Sequence, residues 1–199
     1  MKFILIFLLS FSALAVSPSL VIGDLDWFPV DELEDGPAKE LSKGVGVLNV
    51  GSIVCTAWVW NDVVYTAKHC LDNSRRAEFV LNGVSSILTF SVCPRGRDIC
   101  STGSTDSIFL PRSLREIGRK DRKEAYLLHV QEEVVLISPK CSYVPFATLR
   151  FLHDCDSWYG SSGGMLVDAN THTPVGVHNG GFPDTMTNTA TSLEALTQE

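Results

Sequence analysis

The sequence predicts an all-β protein made of two closed sheets, and three features of the chain point to this fold class. From Val45 onward, short apolar runs are separated by Gly, Asn, Asp, Ser or Pro, which is the pattern of many short strands. Six of these runs come before a basic polar stretch, residues 112–123, and six come after it. Closing each group of six into a barrel removes the sheet edges through which strands aggregate.

The predicted strands fall into two groups along the chain. The first group covers residues 45–50, 53–60, 63–67, 77–81, 87–92 and 107–110. The second group covers residues 125–130, 134–137, 147–152, 165–168, 174–177 and 186–193. At the end of the chain, Ser192 is in a position to cap a short helix.

The start of the chain has the pattern of a secretory signal peptide, residues 1–15. Lys2 supplies the positive charge, an apolar run follows, and Ala13-Leu14-Ala15 matches the cleavage pattern. The run is shorter than the roughly 20 residues that span a membrane. We therefore expect a protein that is secreted, or periplasmic in a bacterium, and that has no membrane contact after signal removal. Residues 16–43 are acidic and aperiodic, which predicts a propeptide or an N-terminal arm.

The amino-acid composition and net charge argue against some classes of partner. The 199 residues suit one or two domains, and 45% of them are hydrophobic, which is enough for a substantial core. Lys and Arg number 16 against 23 Asp and Glu, so the formal net charge is −7. A nucleic-acid partner would favour a basic surface, so we expect none. We expect a monomer that needs no cofactor or metal.

The six cysteines are predicted to form disulfides, because a secreted chain is exposed to an oxidising environment. Zinc is a weak alternative, since the sequence contains no Cys-x2-Cys pair. Counting alone allows 15 pairings of six cysteines. Chain order suggests three local bridges, which are Cys55–Cys70, Cys93–Cys100 and Cys141–Cys155.

Two residues are candidates for nucleophilic catalysis. His69 follows an apolar run in Tyr65-Thr66-Ala67-Lys68-His69-Cys70, and Ser162 lies in Gly160-Ser161-Ser162-Gly163-Gly164. A lone histidine is most often structural, and a Gly/Ser cluster is usually a loop. Their joint presence in a secreted all-β chain favours a catalytic pair over two unrelated structural residues, because a serine hydroxyl becomes a good nucleophile only beside a base.

These two motifs resemble those of the chymotrypsin-like serine peptidases, Thr-Ala-Ala-His-Cys and Gly-x-Ser-Gly-Gly. The resemblance implies two six-stranded barrels, about 44–111 and about 124–193, within a peptidase domain of residues 44–199. It implies that His69 is the base, that Ser162 is the nucleophile, and that the N–H groups of Gly160 and Ser162 form an oxyanion hole. It also implies the Cys55–Cys70 bridge. Lys68 and Met165 depart from the usual Ala and Pro.

A second resemblance is to the glutamyl endopeptidase branch of this family. It rests on the stretch from His153 to Ser162 and on Gly176-Val177-His178-Asn179-Gly180-Gly181. The resemblance implies that His178, with Asn179 and Gly180, lines the pocket and binds an acidic substrate side chain.

The residue that completes the triad should be a carboxylate that orients His69. Asp106 immediately precedes the predicted strand 107–110, where the family carries its triad Asp, and we predict Asp106 for this role. Asp98, in the short Cys93–Cys100 loop beside Arg95 and Arg97, is an alternative. Asp121, in a run of basic residues, is another.

The function predicted from the sequence is that of a serine endopeptidase acting on proteins or peptides, cleaving after Glu or Asp. Asp156, six positions before Ser162, favours trypsin-like cleavage after Arg or Lys as the alternative. A catalytically silent binding protein of the same fold is a further alternative. Ser161 carries no charge where trypsin has an Asp before its nucleophile, so the trypsin-style activation ion pair is excluded.

Overall fold

The computed structural model describes residues 21–22, 25–103 and 121–197, and it has the chymotrypsin-like two-barrel fold. An arm precedes the two sheets, and its described residues include strand β1 (Phe28–Pro29), a 3-10 turn (Val30–Glu32) and helix α1 (Pro37–Ser42). Pro37 opens α1, where a missing N–H costs nothing.

The first barrel is a curled six-stranded sheet. Its strands are β2 (Val45–Val50), β3 (Ile53–Trp60), β4 (Val63–Thr66), β5 (Arg76–Leu81), β6 (Val84–Thr89) and β7 (Cys100–Ser101). They are antiparallel, in the order β6-β5-β2-β3-β4-β7. Inside, Trp58 stacks on Tyr65 with ring centroids 4.6 Å apart, and both side chains are fully buried.

The second barrel is closed. Its strands are β8 (Lys123–Gln131), β9 (Val134–Ala147), β10 (Arg150–His153), β11 (Met165–Asp168), β12 (Thr173–Phe182) and β13 (Thr187–Ser192). The order is β9-β10-β13-β12-β11-β8, and β8 pairs back with β9. Closure leaves no edge between these strands, and β1 of the arm adds to the outside of β9 at Leu136 and Ile137.

Eleven of the twelve predicted strands have counterparts: β2, β3 and β11 have the predicted ends, and the other eight have shifted ends. The twelfth, residues 107–110, lies outside the described residues, as does the predicted signal peptide. β9 is far longer than predicted, because pairing with β8, β10 and β1 along its length keeps its polar residues extended. Helix α1 and the two-residue strands β1 and β7 were not predicted.

All three predicted disulfides are present: Cys55–Cys70, Cys93–Cys100 and Cys141–Cys155. The short helix predicted after Ser192 is a 3-10 helix, Leu193–Thr197, and the Ser192 hydroxyl accepts the N–H of Glu194 at 3.2 Å. None of the helices in the described ranges is long and apolar enough to cross a membrane.

Candidate active site

His69 is oriented by a carboxylate from its own barrel. It lies in a 3-10 turn, Lys68–Leu71, directly after β4, and the Cys55–Cys70 bridge ties this turn to β3. Its Nδ1 is 2.8 Å from Oδ2 of Asp98, and its backbone N–H donates to Oδ1 of Asp98 at 2.9 Å. One carboxylate therefore fixes both the ring and the main chain of His69.

Asp98, the alternative candidate for the triad carboxylate, is therefore the carboxylate that contacts His69 within the described residues. Burial alone would raise the pKa of Asp98, but hydrogen bonds from the His69 ring and backbone outweigh it and lower the pKa. The Asp98 side chain is 30% exposed, so the pair is not sealed from solvent. Asp106 lies outside the described residues. Asp121 is described, but nothing connects it to His69.

The Cys93–Cys100 loop holds Asp98 against the second barrel. The side-chain amide of Asn179 on β12 donates to the carbonyl of Asp98 at 2.7 Å. The guanidinium of Arg97 donates to the carbonyl of Thr148 at 3.3 Å. A short disulfide-closed loop with two contacts across the cleft can fix a carboxylate as well as a strand does.

The loop around Ser162 is packed against the first barrel, which explains its glycines. Gly163 has φ +89, and a Cβ there would lie 2.0 Å from the carbonyl oxygen of Thr56. The N–H of Thr56 donates to the carbonyl of Ser162 at 2.8 Å, and the Thr56 hydroxyl donates to the carbonyl of Gly160 at 2.7 Å. The main chain of β3 therefore sets the loop's position.

Two N–H groups beside Ser162 remain available for a ligand. Within the described ranges, neither the N–H of Gly160 nor that of Ser162 donates to a protein acceptor, whereas the N–H of Gly163 donates to the carbonyl of His178 at 2.8 Å. Gly160 has φ +92, and Val130 packs against the position its Cβ would take. These are the two groups that the resemblance assigned to an oxyanion hole.

The hydroxyl of Ser162 points toward β12. Its Oγ lies 3.4 Å from the carbonyl oxygen of Asn179, and no hydrogen bond joins it to His69 among the described residues. Asn179 consequently touches both halves of the site, through its carbonyl to Ser162 and its amide to Asp98. A bulge between His178 and Gly180 gives Asn179 this position.

His178 is buried on β12 and is paired with a second histidine. Its Nδ1 is 3.0 Å from Nε2 of His153, which the register of β10, β13 and β12 brings alongside. Burial, followed by the nearby His153, His129 and His69, keeps the pKa of His178 well below its usual value. Burial also lowers the pKa of His153, to about 4. Both rings are neutral at neutral pH, and they share one N–H.

Ser161, the residue before Ser162, contacts an uncharged histidine. Its Oγ accepts the N–H of Trp158 at 2.8 Å and lies 2.9 Å from Nδ1 of the buried His129. Burial lowers the pKa of His129 to about 4. The ring of Trp27, from the arm, lies edge-on to the rings of His129 and Trp158, at centroid distances of 5.8 and 6.0 Å.

Asp156 contacts the arm in this structure, and its role as a substrate-binding residue stays a prediction. Its side chain is 2% exposed, and its two oxygens accept the N–H groups of Ile22 at 2.6 Å and Asp26 at 3.2 Å. Burial and the Asp156 charge raise the pKa of Asp26. Asp156 has no cationic partner in the part of the chain that the structure describes.

The sequence does not indicate the contacts that His129, His153 and Trp27 make, because each residue is ordinary within its local pattern. His153 and Trp27 find their partners only through strand pairing or arm packing. The Cys55 and Cys70 sulfurs lie close to His69, but the disulfide prevents them from ligating a metal.

Comparison with known proteins relates this geometry to solved structures. No protein-family model matches the chain, and a search of curated proteins finds no significant match. A glutamyl endopeptidase structure superposes with a TM-score of 0.61 at 15% identity, covering 87% of this chain and 94% of that one. An active-form M. tuberculosis protease gives 0.57 at 15% identity, covering 89% and 87%. A human astrovirus serine protease gives 0.55 at 15% identity, covering 76% and 90%.

Proposed function

We propose that this protein is a secreted serine endopeptidase in which Ser162 attacks the peptide carbonyl, His69 transfers the proton and Asp98 orients His69. The observation that carries the proposal is the 2.8 Å contact of His69 Nδ1 with Asp98, which leaves Nε2 as the base. The three disulfides support an oxidising compartment.

The reaction begins when the Ser162 hydroxyl rotates from Asn179 toward His69 Nε2. Catalytic hydrogen bonds are often long in unliganded enzymes and tighten when substrate binds. Ser162 Oγ bonds to the carbonyl carbon while its proton moves to His69. The charge on the carbonyl oxygen is stabilised by the N–H groups of Gly160 and Ser162, and losing one such donor costs roughly 3 to 4 kcal/mol of barrier.

His69 then returns the proton to the leaving amine, and the acyl group stays on Ser162. Water, deprotonated by His69, hydrolyses this ester and regenerates the hydroxyl. Throughout, the Asp98 carboxylate accepts from Nδ1, which selects the tautomer whose Nε2 can take a proton. Its lowered pKa keeps it ionised in this role.

This mechanism is tested with a fluorophosphonate probe, which reacts only with an activated serine. We expect labelling of the wild-type protein at Ser162 and hydrolysis of casein or peptides. Ser162→Ala should lose labelling and about 10⁴-fold or more in kcat, whereas the exposed control Ser85→Ala should keep both. A wild-type protein that is folded yet neither labelled nor active would favour a silent binding protein instead.

For specificity, we propose that the residue before the cleaved bond is Glu or Asp, bound by His178. If His153 Nε2 donates to His178 Nδ1, the proton on His178 lies on Nε2, where a carboxylate can accept it. Asp156 would be the site for Arg or Lys, but its oxygens are occupied by the arm. The glutamyl endopeptidase fold match is consistent with this preference.

Matched peptides with Glu, Gln, Arg or Phe before the bond test the specificity. We expect Glu to exceed Gln in kcat/KM, and His178→Ala to remove that difference while cleavage after other residues persists. A preference for Arg that is lost in Asp156→Ala and kept in His178→Ala would refute the acidic assignment.

A further inference from the structure

A cavity beside the His69–Asp98 pair is lined by cations that the proposed catalytic mechanism does not use. It has a volume of about 650 Å³ and lies where the Cys93–Cys100 loop meets Arg150 of β10. Lys68, Arg75 and Arg97 of the first barrel line it together with Arg150 of the second. Lys68 is the residue that replaces the usual Ala before the histidine.

The four cations lack acidic partners in the described ranges. The ion pairs there involve other basic residues, apart from the His69–Asp98 contact. Arg75 donates to the carbonyl of Ser91 at 2.8 Å, and Lys68 to that of Pro94 at 3.4 Å. Carbonyl contacts orient these groups but leave their positive charge uncompensated.

Two acidic residues also line the cavity, and they do not cancel this charge. Asp98 is engaged by His69, and Asp72 is a single exposed carboxylate. Four cations therefore face two anions in a concave site on a protein whose net charge is −7. A concave site of one sign focuses the field and attracts the opposite charge.

We infer that this cavity is a second substrate subsite, which binds an acidic side chain one or two residues from the cleaved bond. The inference rests on the proposed peptidase function, since it requires a peptide that extends from Ser162 past His69. Because His69 itself lines the cavity, a neighbouring side chain of that peptide reaches it. Arginines at such a site can bind a carboxylate with two parallel hydrogen bonds.

The first measurement uses a peptide series in which the residue before the cleaved bond is constant. The positions on either side of the bond are then varied one at a time, with Asp, Asn or Lys at the varied position. At one position at least, we expect Asp to exceed Asn by about tenfold in kcat/KM at low ionic strength, with Lys poorer still. The advantage should shrink as ionic strength rises from about 0.05 to about 0.5 M, because salt screens exposed charges.

Variants assign this preference to the cavity. Arg97→Gln/Arg150→Gln should reduce the Asp advantage to about twofold, and Arg150→Glu should favour Lys at the same position. Arg95→Gln is the matched control, because Arg95 is exposed on the same loop without lining the cavity, and it should keep the full preference. No Asp advantage in the wild type, or an advantage lost equally in the control, would overturn the inference.

A binding measurement separates this inference from the peptidase proposal. Fluorescence anisotropy of the same labelled peptides on Ser162→Ala requires no turnover. Tighter binding of the acidic peptide, lost in the double arginine variant, supports the subsite even if no hydrolysis is found. Equal binding of the acidic and amide peptides refutes the subsite even if the enzyme cleaves both.

Discussion

The two barrels contribute to the site in physically different ways. The first barrel presents His69 and Asp98 with side chains 37% and 30% exposed, at the edge of a cationic cavity. The second barrel holds Ser162 on a loop backed by buried groups, Ser161 with His129 and His178 with His153. One half of the site faces solvent, and the other depends on a polar interior.

Because of this difference, mutations in the two barrels should have different effects. Changes in the first barrel should alter proton transfer and substrate charge preference at little cost in stability. Changes in the second barrel should first alter stability, because its polar groups near Ser162 are buried: Ser161 contacts His129, and His178 contacts His153. The arm is part of the second barrel's packing, because the Trp27 ring contacts it and Asp156 accepts hydrogen bonds from the arm's main chain.

The largest expected effect is acid destabilisation through the second barrel. His129 and His153 have folded-state pKa values of about 4 against 6.5 when unfolded, so the unfolded chain binds more protons between these values. Lowering the pH from 6.5 to about 4 should therefore cost about 3 kcal/mol for each ring. The raised pKa of Asp26 acts in the opposite sense and offsets part of the loss.

Urea unfolding at a series of pH values measures this dependence. His129→Gln should make the unfolding free energy less dependent on pH, by the amount that one buried histidine contributes. A free energy of unfolding that is constant between pH 7 and pH 4.5 would contradict the buried neutral histidines.

The next largest effect is expected from removing a disulfide, and it can be compared between the two barrels. Replacing either Cys93 and Cys100 or Cys141 and Cys155 by serine pairs should cost roughly 2 to 4 kcal/mol of unfolding free energy. Only the first pair should also lower kcat by more than tenfold, because that loop carries Asp98. Thermal unfolding and peptide hydrolysis on both variants provide the comparison, and equal losses of activity would remove the distinction.

The smallest effect concerns Asp156. Asp156→Asn retains one acceptor for the arm, so we expect a loss of about 1 to 3 kcal/mol in stability and no change in the preferred cleaved residue. Asp184→Asn, an exposed control, should be neutral. If Asp156→Asn alters the preference for basic substrates without destabilising the fold, the arm contact is not its role.

The strands and disulfides were predictable because their signals are local. Alternating apolar runs define β3 or β8 without reference to the rest of the chain, and cysteine neighbours in sequence are neighbours in space. Helix α1 was missed because six residues are too few to show a helical period.

The contact between Asp98 and His69 is not predictable in this way. Asp106 is favoured by a local signal, since it precedes an apolar run, and it stays a prediction because it lies outside the described residues. Asp98 reaches His69 because a seven-residue disulfide separation shapes its loop and Asn179 bonds to it from 81 residues away. Sequence alone contains no marker for such a contact, and the same is true of the His153–His178 pair.

The central claim is that Asp98 orients His69, and one paired measurement tests it most directly. Asp98→Asn and Asp106→Asn are assayed for kcat/KM near neutral pH, with circular dichroism to verify folding. We predict that Asp98→Asn loses roughly 10⁴-fold, because the amide favours the wrong imidazole tautomer, and that Asp106→Asn stays within about twofold of wild type. A crippled Asp106→Asn beside a nearly active Asp98→Asn would contradict the account.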